Sequence, residues 1–205
     1  MQFFSYLING ISLGSVYALI ALGYTMVYGI AKMLNFAHGD VIMIGSYVVY
    51  FAFGASGLNP VLSIVLSMIV CTILGVVIER LAYRPLREAP SLAVLITAIG
   101  VSYLLQQVAQ LSWSSNPKSF TSVVSGMKPV SLFGGQLTIS AETIVTIVAC
   151  VVIMVVLMWF VNYTPAGHAM LAVSEDRGAA QLMGVNVNGT ISLTFAIGSA
   201  LAAIA

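Results

Sequence analysis

"MQFFSYLINGISLGSVYALIALGYTMVYGI", residues 1–30, contains no Asp, Glu, Lys, Arg or His. A helix needs about 20 mainly apolar residues to cross the hydrocarbon core of a bilayer, and this run exceeds that length. It has no positively charged leader and is too long for a secretory signal peptide, so it reads as a retained transmembrane helix. The composition agrees with that reading. Of 205 residues, 60% are hydrophobic and 6% charged, with a mean hydropathy of +1.06. Soluble domains carry roughly a quarter charged residues, so this chain lacks the polar surface to face water all round. A net charge of +1 leaves no basic patch for nucleic acid. Cys71 and Cys150 lie inside apolar runs and read as small buried hydrophobes, not as a disulfide or a metal pair.

The same length rule places spans at about 4–30, 60–79, 91–112 and 141–161, a shorter apolar stretch at 41–54, and a last span beginning near 190. The expected fold class is therefore all-α: a polytopic transmembrane helix bundle of about six spans, with one short or broken helix near 31–54. The last run, "ISLTFAIGSALAAIA" (191–205), ends without a polar flank, and the expectation is a fragment of a longer protein. The connector "ERLAYRPLREAP" carries Arg80, Arg84 and Arg87, which the positive-inside rule puts in the cytoplasm. Alternation then places 31–40 and 162–189 inside, and 55–59, 113–140 and Met1 outside.

Small residues recur at helical spacing. Gly10, Gly14 and Ala18 form one stripe, and Ser63, Ser67, Cys71 and Gly75 another; in lipid such stripes let helices approach closely. In the outer segment, "VSLFGGQLTIS" alternates apolar and polar residues around Gly134-Gly135, a β-hairpin pattern. Ser140 is placed to cap the next helix, with Glu142 in its first turn, where the helix dipole favours an anion.

Three polar stretches are candidates for function. In "AVSEDRGAAQLMGVNV" (172–187), Glu175, Asp176 and Arg177 stand together in a chain with few charges. Each would cost roughly 2.5–3.5 kcal/mol at the centre of a bilayer, which fits a place outside the lipid. Ser174 is expected to cap a short helix over 174–183, and Gly184 to end it. That helix carries Ala179, Leu182 and Met183 on its apolar side and is too short to stand alone in water, so its own bundle, the lipid interface or a partner must hold it. In "NFAHGD" (35–40), Asn35, His38 and Asp40 cluster between apolar stretches. This is either an ordinary turn or a broken helix with polar backbone at membrane depth, tolerated where it is buried or lines a cavity. It has too few ligands for a metal site. In "TAIGVSYLLQQ" (97–107), adjacent Gln106 and Gln107 point to different faces, so at least one faces the bundle interior or the interface; Thr97 and Ser102 can bond to their own helix. "GASG" (54–57) matches the Gly-x-Ser-Gly of rhomboid-type intramembrane proteases. That chemistry needs a histidine within reach of Ser56, yet His168 is placed in a polar loop and His38 at the opposite side. No GxxxxGK[ST] occurs, so the chain has no P-loop of its own for ATP.

Taken together, "ALGYTMVYGIAKMLNFAHGD", "ERLAYRPLR", "LITAIGVSYLL" and "AVSEDRGAAQLMGVNV" resemble, in the expected order, the membrane subunits of bacterial branched-chain amino acid ABC importers. The likeness covers nearly the whole chain and is greatest to the shorter of the family's two permease types. It implies a single permease domain over 1–205, continuing beyond Ala205, that moves branched-chain or related small amino acids inward by alternating access. It is a transport subunit and not an enzyme, in the bacterial cell (inner) membrane. The implied partners are a second permease, two cytoplasmic ATPases that hold ATP and magnesium, and an extracytoplasmic binding protein touching the 130–139 hairpin of the 113–140 loop; no cofactor is expected on this chain. In such importers a cytoplasmic loop of pattern EAA-x3-G docks on the ATPase. Ala179, Ala180 and Gly184 match its AA-x3-G portion, Gly178 stands where the pattern has Glu, and no Pro follows. The resemblance thus makes 163–189 the coupling segment, with Ser174, Glu175, Asp176, Arg177, Ala179, Ala180, Leu182, Met183 and Gly184 as the ATPase-coupling residues. Asn35, Phe36, His38, Gly39, Asp40, Thr97 and Gln106 are the expected substrate pathway. Two other readings stay open on the residues: an intramembrane serine hydrolase using Ser56, and an ion-driven secondary carrier.

Overall fold

A computed structural model describes residues 2–87, 89–118, 130–132 and 137–205, with side chains described at 3–87, 89–118 and 139–205. The order is α1 (Gln2–Ala31), α2 (His38–Val49), α3 (Pro60–Ile78), α4 (Ser91–Trp113), β1 (Val130–Leu132), β2 (Leu137–Ile139), α5 (Ala141–Tyr163), α6 (Pro165–Glu175), α7 (Arg177–Leu182) and α8 (Val187–Ile204). Among the described residues, five helices are long and apolar enough to cross a membrane: Phe3–Ala31, Pro60–Leu86, Ser91–Trp113, Ala141–Tyr163 and Val187–Ile204. The sixth expected span is α2 with a π-helical turn, Tyr50–Ala55, at its end. The chain is thus an all-α polytopic bundle with one short helix, as expected.

Local chemistry explains the starts of these helices. Asn59 caps α3, with Pro60 at its first position, where a missing N–H costs nothing. Ser140 accepts from the Thr143 amide and Glu142 sits in the first turn of α5, as the sequence indicates. The hairpin is present as two paired antiparallel strands in the register Val130↔Ile139, Ser131↔Thr138 and Leu132↔Leu137; its Gly134-Gly135 turn lies outside the described residues.

Helix α8 is the centre of the bundle, with α1, α2, α3 and α6 packed around it. Two contacts bring backbones together. At the first, Gly23 of α1 meets Gly198 of α8: a Cβ on Gly23 would lie 3.0 Å from the Gly198 carbonyl oxygen. At the second, a Cβ on Gly75 of α3 would lie 1.9 Å from Ser199 Oγ and 2.6 Å from its Cβ. The expected Ser63–Gly75 stripe is therefore buried. Ser67 donates to the Gly45 carbonyl at 3.0 Å, and Cys71 to that of Val41 at 3.5 Å, which fastens α3 to α2. The Gly10–Gly14–Ala18 stripe instead lies exposed, and nothing stands within 4 Å of a Cβ on either glycine. Gly75→Ala should therefore lower the thermal midpoint of the purified permease by several degrees, the effect of an overpacked contact costing about 1–3 kcal/mol. Gly10→Ala should leave it unchanged, as measured by fluorescence-detected size exclusion after heating.

Three expectations change. The segment after α3 is not a free connector from residue 80. A π-helical turn, Glu79–Tyr83, and a 3-10 turn, Arg84–Leu86, prolong the helix, because Glu79 and Tyr83 are drawn into the interior, both 0% exposed. The 163–189 segment holds two helices where one was expected: Thr164 caps α6 by accepting from the Gly167 amide, with Pro165 at the first position. His168 accordingly lies on α6 and not in a loop.

Candidate functional site

The short helix at the basic end begins two residues later than the capping pattern suggests. Ser174 does not cap it; its hydroxyl donates to the Leu171 carbonyl within α6, and Glu175 closes that helix. Asp176 is the cap of α7: its Oδ1 accepts from the Gly178 amide at 2.7 Å and the Ala179 amide at 3.1 Å. A carboxyl acceptor at the positive end of a helix outcompetes a hydroxyl two residues earlier. Gly184 ends the turn with φ +86°, a conformation open to glycine.

Helix α7 is held from inside by Ala180, which is buried, and by Arg177, whose guanidinium donates to the carbonyl of Ala31, the last residue of α1. A cation at that point also suits the negative end of the α1 dipole. Ala179, Leu182 and Met183 face out, the last two 90% and 84% exposed. This chain's own packing thus leaves two large apolar side chains bare beside charged residues.

A second network lies beside it. Glu79, fully buried, receives Arg87 in an ion pair and the Ser192 hydroxyl at 2.6 Å, while Arg87 also reaches Asn188 in the first turn of α8. The end of α3 and the start of α8 are thus tied through one carboxylate. Sequence pattern alone does not single out Glu79; its signal is a carboxylate next to an apolar span, eight residues before an arginine.

The 32–40 segment turns back into the bundle. Lys32 adopts φ +51° directly after α1, and the chain reverses there. His38 then packs against Gly23, since a Cβ there would lie 2.9 Å from its Cε1. Gly23 is eight residues before the end of α1, so His38 stands about 12 Å along that helix from its basic end. "NFAHGD" therefore folds back alongside α1 into the bundle and is not a turn at its end. Its irregular backbone is served by protein: the Tyr83 hydroxyl donates to Asn35 Oδ1 at 3.0 Å and lies 3.4 Å from the Leu34 carbonyl oxygen.

Asn35, His38 and Asp40 are all buried. Gln106 of α4 donates to Asp40 Oδ1 at 3.0 Å, which brings two expected pathway stretches together; Gln106 and Gln107 are both largely exposed. His38 Nε2 and Asp40 Oδ2 have no hydrogen-bond partner among the described residues. Buried polar atoms left open in this way are places for a ligand or water to bind. Asn35, Phe36, His38 and Gly39 share an open groove of about 440 Å³ with Tyr17 and Tyr24 of α1. Its volume falls in the range of small-molecule sites, roughly 300–1,000 Å³. Thr97 does not join them. It is nine residues from Gln106, about 13 Å along α4 and half a turn around it.

Ser56 ends the π-helical turn, eighteen residues after His38 on one continuous helical segment, about 27 Å away at the α-helical rise. His38 cannot serve it as a base at that separation, and nothing in the structure favours the serine-hydrolase reading.

The sequence model of the family described as branched-chain amino acid transport system, permease component, matches residues 6–205. The chain is 43% identical to the high-affinity branched-chain amino acid transport system permease protein BraD of Pseudomonas aeruginosa, over 97% of this chain and 68% of the relative. It is 39% identical to the permease protein LivH of Escherichia coli, over all of this chain and 70% of the relative. A probable branched-chain amino acid transport permease of Methanocaldococcus jannaschii is 29% identical over 91% of this chain and 60% of its own length. No solved structure matches.

Proposed function

The chain belongs to the family of permease components of branched-chain amino acid transport systems, and on that footing we propose that it is the membrane path by which an ABC importer carries leucine, isoleucine or valine inward. The match of the family over residues 6–205 carries this reading. The chain is a multi-pass membrane protein and a transport subunit, not an enzyme. Its partners are a second permease subunit, two cytoplasmic ATPases that bind ATP and magnesium, and an extracytoplasmic binding protein that docks near the 130–139 hairpin. Its location is the bacterial inner membrane.

In this reading the groove at Asn35, Phe36, His38 and Gly39 is part of the pathway, with Asp40 held by Gln106 behind it. An amino acid in transit carries an ammonium and a carboxylate that need polar partners away from water, and an apolar side chain that does not. Asn35 and His38 supply the polar side chains of the groove, and Tyr17 and Tyr24 supply apolar wall.

The ATPases act through α7. Closure of the ATPase dimer moves Leu182 and Met183, and Arg177 passes the displacement to the end of α1 through the Ala31 carbonyl. The 32–37 reversal follows α1 directly, so a shift there alters the depth and angle of His38. Alternating access requires contacts that differ between two states, because a partner binding both equally shifts neither.

The test is uptake of radiolabelled leucine by cells whose only branched-chain permease is this system. His38→Ala, which removes bulk and introduces no clash, should lower uptake about tenfold, the effect of losing one buried hydrogen-bond partner worth about 1.4 kcal/mol, with permease abundance unchanged. Unlabelled isoleucine and valine should compete in the native system, and lysine should not. Full uptake by the His38→Ala variant would remove His38 from the pathway.

A further inference from the structure

At the basic end, a cavity of about 390 Å³ opens between the last turn of α1 and the first turn of α4. Lys32, Arg87 and Arg177 line it, together with Tyr28, Leu34 and Ser91. Among the described residues, the three cations are poorly compensated: only Arg87 forms an ion pair, with Glu79, and its Nε remains buried without a partner. The Lys32 ammonium has no counter-ion there, and Arg177 holds a backbone carbonyl, which carries no full charge. The two guanidiniums feel each other: burial first, then the Arg87 charge, pulls Arg177 below its usual range.

The wall opposite adds to the positive field. Pro90 gives the first amides of α4 no side-chain acceptor, so the N-terminus of a 23-residue helix opens beside the cations. The position is that of a bilayer interface, since Ala31 and Ser91 are the last and first residues of membrane-crossing helices. Leu34, Met33, Val94 and Leu95 make the rest of the lining apolar.

We propose that this cavity binds the phosphate group of an anionic phospholipid, with Lys32, Arg87 and Arg177 around the phosphate and the glycerol and upper acyl chain on the apolar wall. Basic pockets between transmembrane helices at the cytoplasmic side take lipid headgroups by this chemistry. Bound there, the lipid joins α1, α4 and the start of α7 through one anion. The site does not depend on the transported substrate, since it is read by lipid binding alone.

The purified full-length chain in detergent, titrated with phosphatidylglycerol or phosphatidylcholine and followed by native mass spectrometry, tests the site. Phosphatidylglycerol should bind more tightly than phosphatidylcholine. Lys32→Gln should weaken phosphatidylglycerol about fivefold, the share of one basic group near an anionic headgroup, and Lys32→Arg should restore it. Lys32 lies exposed at the cavity mouth, so neither variant disturbs packing. A parallel titration with inorganic phosphate separates the sources: weak displacement of phosphatidylglycerol supports a lipid site. Displacement by phosphate as effective as by lipid would replace the lipid with a soluble phosphate and overturn the lipid assignment. Equal binding of the two lipids, or a Lys32→Gln variant that behaves as the parent, would overturn the site. Loss of ATPase binding in Lys32→Gln, with lipid binding intact, would assign the cavity to a partner's acidic side chain instead.

Discussion

Replacing Leu182 and Met183 together with Asp should release the ATPase subunits on purification and abolish ATP-driven uptake, while the permease itself stays folded. The two side chains are 90% and 84% exposed, so they contribute no packing inside this chain. Their burial can only be against something else. Anchors at the centre of an interface contribute about 2 kcal/mol or more each, and a carboxylate in an apolar seat adds its own desolvation cost. Two such losses weaken association by about three orders of magnitude. Ala180→Asp is the informative contrast, since Ala180 is buried against the bundle; that variant should lose folded permease rather than release a partner from it. Co-purification of the ATPases, with permease abundance measured in the same sample, separates the two results. ATPases that stay bound to a Leu182→Asp, Met183→Asp permease that still transports would remove α7 from the coupling.

Glu79→Ala should be strongly destabilising. It strands the Arg87 guanidinium, 11% exposed at its side chain, without its carboxylate, and it leaves the Ser192 hydroxyl without an acceptor. Breaking a buried ion pair from one side costs about 3–5 kcal/mol, against total stabilities of about 5–15 kcal/mol for folded domains. Folded permease should fall sharply in abundance, and what remains should unfold at a lower temperature. Glu79→Gln keeps an acceptor for both partners and should sit between that variant and the parent. The double replacement Glu79→Leu, Arg87→Met should recover much of the loss, because no buried charge is left unpaired. A Glu79→Ala permease as stable as the parent would show that the α3–α8 tie carries no weight.

The five long spans could be read from the sequence because lipid imposes a length and an apolarity that few other environments require. The Ser63–Gly75 stripe was legible for a similar reason: small residues every fourth position have one evident use between helices. The Gly10–Gly14–Ala18 stripe has the same pattern and is exposed in this chain, so spacing alone does not name the neighbour. At "NFAHGD" the composition allowed two placements. What decided between them was distant in sequence: Gly23 makes room for His38, Tyr83 serves the loop backbone, and Gln106 holds Asp40. The cap of α7 was misplaced because Ser174 and Asp176 are both capping residues, and the choice rests on where α6 ends. Thr164-Pro165 was a readable helix start that would have revealed α6. Thr97 was included for its polarity alone, and helical geometry puts it on the other side of α4.

In the proposed coupling, the groove beside α1 is linked to the exposed Leu182 and Met183 at the end of α7 through the last residue of α1. The measurement that tests it most directly is leucine uptake into proteoliposomes holding this permease with its partner permease and ATPases, the binding protein outside and ATP inside. The account requires uptake that stops when ATP is replaced by a non-hydrolysable analogue and that is indifferent to sodium and proton gradients. Uptake that persists without ATP hydrolysis and follows an ion gradient would contradict it and make the chain a secondary carrier.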